Sequence, residues 1–317
     1  MARVKSNGAL AESAQSRCRY GTSWAFMLRD LSGMVVLAIA VLGVAVESSA
    51  ASLRQPRAPE KKLSSASKAT TSSAAKESAI RSIPLEKLDE KDREKISALL
   101  SGSHIFRRMP IYVGPCNPQL YLFLVRHPDV VVGIWEELGI SKLRMKQVGP
   151  LKYQTQESNG TMGTSEFIYR DDGTHLIWVE GIFDNPLLTK PVRGTSLLIL
   201  RTGYVREENG QNYITSRLDS FTHIDNVGVE FITRTLQPLM GKVVDENFMQ
   251  TTAFVSSLSR TAEVNPRGVR RLAGKLHRVR PEVRKEFGRL AGEIAVKAND
   301  RNEQRLAAEP LVKTAKR

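Results

Sequence analysis

Apolar and polar residues alternate through the middle of the chain in a pattern that predicts six β-strands. The candidate strands are Leu143–Val148, Leu151–Gln156, Thr161–Tyr169, His175–Phe183, Thr195–Arg206 and Asn212–Thr222. Asn-Gly or Asp-Gly pairs lie between several of these strands, at residues 159–160, 172–173 and 209–210. Such pairs are the strongest short signal for a β-hairpin. Because tight turns join antiparallel neighbours, the pattern predicts one antiparallel sheet.

Helices are predicted on both sides of these strands. Apolar residues at a spacing of three to four continue from about Val227 to Ala262 and predict a long helix. Before the strands, Asn117-Pro118 and His127-Pro128-Asp129 each place a proline at a first helical position. Apolar spacing also predicts a helix from Pro84 to Gly102. The predicted fold class is therefore α+β, with extra helices at both ends.

An uncharged apolar run of 13 residues, Met34–Val46, lies near the amino terminus. A membrane-spanning helix needs about 20 such residues, so this run is short for an anchor and is typical of a secretory signal. Ser48 and Ala50 supply the small residues that signal peptidase requires. We therefore expect residues 1–50 to direct export to the periplasm or the cell exterior. An uncleaved membrane anchor and a buried core helix are the alternatives.

Composition divides the rest of the chain into three parts. Residues 51–83 are mostly Ser, Ala, Lys, Thr and Pro, and such a segment buries too little apolar surface to offset the cost of ordering it. We predict a disordered linker there, a folded domain over residues 84–265, and a basic helical tail over residues 266–317. Within the tail, an apolar stripe between Pro281 and Lys297 consists of Val283, Phe287, Leu290 and Ile294.

The formal net charge of the 317 residues is +14, which would suggest a nucleic-acid partner. The charge is concentrated at the ends, however. Residues 1–110 contain 18 basic and 10 acidic side chains, residues 111–260 contain 14 and 16, and residues 261–317 contain 15 and 7. We expect the basic helix at residues 267–297 to contact an anionic membrane surface, or else to cover the domain edge. Export and the lack of interleaved aromatic residues argue against nucleic acid.

Histidine and cysteine give little sign of metal or covalent chemistry. Cys18 would be lost with the signal, which leaves Cys116 without an intramolecular disulfide partner and expected to be a small buried apolar residue. The two His-x-Asp pairs, at residues 127–129 and 223–225, lie where helices are predicted to begin, so a helix-capping aspartate explains both. We predict no metal, no cofactor and no catalytic residue.

Charged residues on an apolar strand face are the candidate binding residues. Glu180 shares a face with Trp178, and Arg201 lies among apolar residues of the next strand. If Asp184 pairs near Thr195, Glu180 and Arg201 are diagonal neighbours on one face of the sheet.

The last predicted strand can extend this group. Tyr213, Arg217 and Asp219 alternate on one of its faces. Since a charge on an apolar face is costly unless it is paired, we predict that a ligand's polar group binds in an apolar pocket. The predicted ligand-binding residues are Trp178, Glu180, Arg201, Tyr213 and Arg217. A half-exposed ion pair on the outer face of the sheet is the alternative.

The order of the elements resembles the helix-grip fold of the START and polyketide-cyclase-like lipid-binding superfamily. The resemblance rests on the helix at residues 128–135, the hairpins at residues 142–222 and the helix at Asp225–Ala262. It implies a six-stranded antiparallel sheet wrapped around the long carboxy-terminal helix. It also implies a cavity between sheet and helix that binds sterols, lipids, polyketides or other hydrophobic small molecules.

These observations give one leading hypothesis for function. We expect an exported, non-catalytic protein that binds a hydrophobic or lipid-like small molecule in this cavity. One alternative is an exported enzyme that uses the same cavity, with Glu180 or a histidine as general acid–base. The other is a structural or interaction protein of the cell envelope without a ligand.

Overall fold

An antiparallel β-sheet is the largest element of the computed structural model, which describes residues 68–157, 161–183, 191–225 and 237–308. Its strands are β1 (Ile105–Arg108), β2 (Tyr112–Pro115), β3 (Arg144–Gln147), β4 (Lys152–Gln156), β5 (Met162–Arg170), β6 (Thr174–Phe183), β7 (Val192–Arg206) and β8 (Asn212–Ile224). Their order across the sheet is β1-β8-β7-β6-β5-β4-β3, and β2 also pairs with β8. The sheet is therefore open, with β3 at one edge and both β1 and β2 at the other.

Helices precede and follow these strands. They are α1 (Ser73–Ile80), α2 (Glu90–Gly102), α3 (Pro118–Arg126), α4 (Pro128–Glu137), α5 (Gln237–Val264), α6 (Pro266–Lys275) and α7 (Pro281–Ala308). The prediction of an α+β fold with an antiparallel sheet and helices at both ends is confirmed. The predicted helix from Pro84 to Gly102 is interrupted, because a 3₁₀ turn at Leu85–Lys87 comes before α2, which Asp89 caps.

The predicted count of six strands is wrong. All six predicted strands are present as β3 to β8, but the described residues also contain β1 and β2. Each of these is four residues long; β1 ends in two arginines, and β2 contains a glycine and ends in a proline. Such segments show no regular alternation of apolar and polar residues. They become strands because both pair antiparallel with β8.

Two of the predicted turns join strands as expected. Asp171 accepts a hydrogen bond at 2.8 Å from the backbone N–H of Gly173, between β5 and β6. Between β7 and β8, Gly210 has a φ of 77°, a left-handed conformation that favours glycine. The third predicted turn, at residues 159–160, lies outside the described residues.

A layer of helices, α3 to α7, lies on the inner face of the sheet, and within it α7 packs on α3, α5 and α6. Phe248 of α5 and Phe287 of α7 are fully buried there, and Phe287 stacks on Phe123 of α3 with ring centroids 6.0 Å apart. Cys116 is buried among these residues, which confirms the expectation of a small apolar residue, and burial raises the pKa of its thiol to about 12.

The carboxy-terminal helices belong to this core. All four residues of the predicted apolar stripe on α7 are buried, so the prediction of an apolar face is confirmed. Val269 and Ala273 of α6 are buried as well. The predicted domain boundary at residue 265 is therefore too early. Residues 266–308 pack on the helices that lie on the inner face, and most of the basic residues between 266 and 304 are exposed.

The outer face of the sheet is covered by α1, the 3₁₀ turn and α2. Trp178, Leu197 and Phe221 of the central strands are buried beneath these helices. Ala75 and Ala79 of α1 are buried too, so part of the predicted linker at residues 51–83 is an ordered helix. The linker prediction is wrong for this part because α1 approaches the sheet through small alanines and needs no large apolar side chains.

The predicted signal region, with its apolar run at Met34–Val46, lies outside the described residues. Export therefore stays a prediction. Within the part of the chain that the structure describes, no helix combines the length and the apolar character needed to cross a membrane.

Replacing a core residue of α7 tests whether this helix stabilises the whole domain. We expect Phe287→Ala to lower the free energy of unfolding by about 3–5 kcal/mol, because the fully buried ring fills the inner face. Val296→Ala is the matched control, since this side chain of the same helix is 60% exposed. It should change the free energy of unfolding by less than about 0.5 kcal/mol. Urea denaturation measures both, and equal small effects would show that α7 is not part of the cooperative core.

Candidate anion-binding site

Strand pairing places the predicted binding residues on the outer face of the sheet but separates them. Strand β7 begins at Val192 and pairs there with Phe183, so Glu180 lies opposite Thr195. Arg201 is six residues farther along β7, about 20 Å away along the strand. The predicted contact between Glu180 and Arg201 is therefore wrong. It assumed a longer connection between the two strands than the structure has.

Trp178 contacts both Glu180 and a lysine of α2. The indole Nε1 donates a hydrogen bond to Glu180 Oε1 at 2.8 Å. The ammonium group of Lys95 from α2 lies 4.4 Å from the centroid of the Trp178 ring, within the range of a cation–π interaction. Trp178 is thus covered by the protein's own helix, whereas Glu180 is exposed.

The other three predicted residues share the opposite end of this face. Arg201 of β7 lies directly opposite Arg217 of β8. Tyr213 is four residues from Arg217 on the same strand and therefore on the same face. Two like charges directly opposite each other in a sheet destabilise the pairing. The structure must therefore compensate the Arg201–Arg217 pair with negative charge.

Asp219 is the compensating residue within the protein. It is fully buried, and Arg108 of β1 donates two hydrogen bonds to its carboxylate, Nε to Oδ1 at 2.6 Å and Nη2 to Oδ2 at 3.0 Å. Arg201 Nη2 lies 3.5 Å from the same Oδ2. We call Arg108, Arg201, Arg217 and Asp219 the arginine cluster. Three guanidinium groups thus lie around one carboxylate, which contacts Arg108 and Arg201. The cluster has a formal surplus of two positive charges.

The guanidinium groups are also short of hydrogen-bond acceptors. Nε and Nη2 of Arg201 and Nε of Arg217 are buried without a hydrogen-bond partner among the described residues. Burial, followed by the positive charges of Arg201 and Arg108, lowers the pKa of Arg217. Unpaired donors and unbalanced charge are costly when they are partly removed from water. A bound anion would reduce both costs.

An exposed strip continues from the arginine cluster toward the ends of β7, β8 and β2. Gly203 and Thr215 are cross-strand neighbours there, followed by Val113, Val205 and Tyr213 on the same face. Val113 is 37% exposed and Val205 is 56% exposed. The strip therefore combines apolar surface with the cationic cluster at one end.

The space between the sheet and α5 is small. Among the described residues it measures about 30 Å³, and its lining includes Tyr121, Ile177, Leu200 and Phe248. A volume of this size holds a single water molecule. It does not hold a lipid-sized ligand, for which pockets of about 300–1,000 Å³ are typical.

The two His-x-Asp pairs lie near helix ends. His223 Nε2 lies 3.4 Å from Asp225 Oδ1, and its Nδ1 lies 2.7 Å from the backbone oxygen of Gly102 at the end of α2. Asp129 occupies the first turn of α4, as expected, but is buried, and this burial raises the pKa of its carboxyl to about 6. Within the described ranges, no three potential metal ligands lie close enough to hold an ion.

Arg108 is the residue of the cluster that sequence reasoning missed. It belongs to β1, which was not predicted as a strand, so nothing placed it beside β8. Its pairing opposite Asp219 depends on the tertiary structure. A buried aspartate that alternates with Arg217 was the available signal, since such a group requires a basic partner.

Two substitutions separate the roles of the arginines in stability. Arg108→Leu leaves Asp219 buried without its bidentate partner and should lower the free energy of unfolding by about 3–5 kcal/mol. Arg217→Leu removes the like charge opposite Arg201. This substitution should change the free energy of unfolding by less than about 1 kcal/mol, or raise it. Chemical denaturation without added anions measures both. An equally large loss for Arg217→Leu would mean that Arg217 already has a stabilising partner within the protein.

The buried Asp129 predicts a pH-dependent effect. Its pKa rises from an ordinary value of 3.8 to about 6 on folding, so the folded state binds more protons between these values and loses stability as pH rises. Asp129→Asn removes this loss. The free energy of unfolding of the variant relative to wild type should increase from pH 4 to pH 6 and then level off. The whole increase should be roughly 3 kcal/mol at most.

Thermal unfolding followed across this pH range provides the measurement for Asp129→Asn. Glu208→Gln, an exposed change in the turn between β7 and β8, controls for the loss of one negative charge. A stability difference between Asp129→Asn and wild type that stays constant from pH 4 to pH 7 would contradict the expected titration.

Comparison with known proteins gives no family for this chain. No protein-family model and no curated protein sequence matches it. Among solved structures, apo dicamba monooxygenase aligns at 12% identity over 65% of this chain and 60% of that chain, with a TM-score of 0.26. The alignment thus spans less than two thirds of that protein, and a similarity this low carries no argument about function. The site is interpreted from its own geometry.

Proposed function

We propose that this protein binds an anionic, lipid-like small molecule without transforming it, and that the anionic group binds at the arginine cluster. The observation that carries the proposal is the Arg201–Arg217 pair, beside a single buried carboxylate that Arg108 already holds and that contacts Arg201. A protein that keeps two like charges opposite each other gains most when a ligand supplies the missing negative charge.

The chemistry of the cluster favours a carboxylate or a phosphate. A guanidinium group presents its donors in a planar fork that matches the oxygens of either anion. Arg108 is already held by Asp219 on both arms, so Arg201 and Arg217 are the groups left to bind a ligand. Because both side chains are partly buried, salt screens their charge less than it screens exposed charges.

The apolar part of the ligand would lie along the exposed strip. Val113, Val205 and Tyr213 lie on the same face as Arg201 and beyond it along the strands. An alkyl chain placed there would cover apolar surface that is now in water, which is favourable in proportion to its area. The space beneath α5, about 30 Å³, is too small for such a chain.

The proposal retains the architecture of the helix-grip resemblance but not its binding site. An antiparallel sheet with α5 on its inner face supports the resemblance, whereas the ligand would bind on the outer face. A non-catalytic role is supported by the composition of the cluster, whose carboxylate belongs to the buried Asp219 and is held by two hydrogen bonds from Arg108. Export remains part of the proposal and rests on the apolar run at Met34–Val46.

Binding of decyl phosphate, followed by calorimetry on lipid-free protein, tests this function. Wild type should bind it and should bind decyl glucoside, a neutral molecule with the same chain, much more weakly. Arg201→Gln and Arg217→Gln should each weaken the binding of decyl phosphate at least about tenfold, as expected for the loss of one charged hydrogen bond. Arg206→Gln, an exposed change on the other face of β7, is the matched control.

The strip has its own test in the same assay. Val205→Ser should weaken the binding of decyl phosphate but leave the binding of inorganic phosphate unchanged, because the second probe has no alkyl chain. No binding of decyl phosphate, or equal binding by wild type and both arginine variants, would overturn the proposed function.

A further inference from the structure

A groove between α6 and α7 opens on the surface of the described residues, with a volume of about 880 Å³. It lies on the helical layer that covers the inner face and shares no residue with the arginine cluster. Five basic residues line it, namely Arg270, Arg284, Lys285, Arg289 and Lys297, together with a single acidic residue, Glu293. We call this the basic groove.

Specific contacts between the two helices maintain the shape of the groove. Arg284 Nη1 of α7 donates a hydrogen bond at 3.2 Å to the backbone oxygen of Gly274, near the end of α6. Arg270 of α6 packs closely on Gly288 of α7, where an added Cβ would lie 3.3 Å from Arg270 Cγ. The groove is therefore a formed feature between two packed helices, with Arg270 reaching across it.

Most of the positive charge in the groove is not neutralised by the protein. Arg289 pairs with Glu286 and Glu293 along α7. In contrast, Arg270 and Lys285 form no ion pair with any described residue, and Lys297 donates to a neutral amide, Gln119 Oε1, at 3.2 Å. Arg284 likewise donates to a neutral carbonyl, and its buried Nε has no partner in the described part of the chain. Four cations thus remain available to an anion.

The floor of the groove is apolar and open. Gly274 has no atom within 4 Å of the position where a Cβ would be, and at Gly292 the nearest such atom belongs to Arg270, at 4.0 Å. Val296 is 60% exposed at the same site, so α7 presents an apolar side chain to the groove. A ligand that fits this groove combines negative charge for the basic residues with a small apolar part for Val296.

We propose that the basic groove seats the headgroup of an anionic phospholipid, so that this face of the protein docks on an anionic membrane surface. The phosphate would meet Arg270, Arg284 and Lys285, and the glycerol and upper acyl carbons would meet Gly292 and Val296. Basic residues close to an anionic membrane attract it at short range. This docking is separate from the proposed ligand at the arginine cluster and uses other residues. Nucleic acid fits poorly, because the groove offers no aromatic ring for base stacking.

Co-sedimentation of the full chain with vesicles tests the proposal. The protein should bind vesicles of phosphatidylcholine with phosphatidylglycerol far better than phosphatidylcholine alone, and binding should weaken with added salt. Arg270→Gln and Lys285→Gln should each lower the partition coefficient about fivefold, as expected for one cation at a membrane surface. Gly292→Leu should lower it as well, because it fills the floor without changing the charge.

Lys91→Gln is the matched control, since Lys91 is exposed on α2, on the other side of the sheet. The apolar run at residues 34–46 is present in all variants, so it does not affect the ratios between them. An equal decrease of the partition coefficient for Lys91→Gln and for the groove variants would overturn the proposal. So would vesicle binding that ignores the anionic lipid, or groove-dependent binding of a polyglutamate peptide without binding of anionic vesicles.

Discussion

The pairing register of β6, β7 and β8 is the constraint on which the rest of this structure depends. Side chains alternate between faces with a period of two, so the register decides which residues meet on each side. Here it places Arg201 opposite Arg217 beside the buried Asp219. It places Glu180 beside Trp178 instead, near the other end of these strands, where Glu180 is exposed. The surplus of positive charge is thereby confined to the end of the outer face that holds Arg201 and Arg217.

The two layers of helices have different consequences for function. The outer layer is short and covers the middle of the central strands, so it stops beside the arginine cluster and leaves the strip with Val113 and Val205 exposed. The inner layer, α3 to α7, fills its face of the sheet and leaves about 30 Å³ beneath α5. Both proposed binding surfaces therefore lie on the outside of this fold, and both are cationic.

Local patterns predicted much of this fold, and tertiary contacts determined the rest. The six strands β3 to β8, the turn at Gly210 and the cap at Asn117 follow from alternation and turn chemistry, which depend on neighbouring residues. The strands β1 and β2 and the helix α1 depend on pairing or packing with distant residues, so short-range patterns missed them. In the site, alternation placed Tyr213, Arg217 and Asp219 on one face. The predicted β6–β7 register was wrong by four residues, which misplaced Glu180 along the strand. Alternation could not reveal this error, because a shift by an even number of residues leaves every side chain on the same face.

NMR of the arginine side chains tests the central claim most directly. In a titration with decyl phosphate, the Nε–Hε signals of Arg201 and Arg217 should shift together and saturate at one affinity. The signal of Arg108, already held by Asp219, should move little. The methyl signals of Ile177 and Leu200, which line the small inner space, should stay in place. Shifts of these methyl groups with unchanged Arg201 and Arg217 would place the ligand inside the protein and contradict the account.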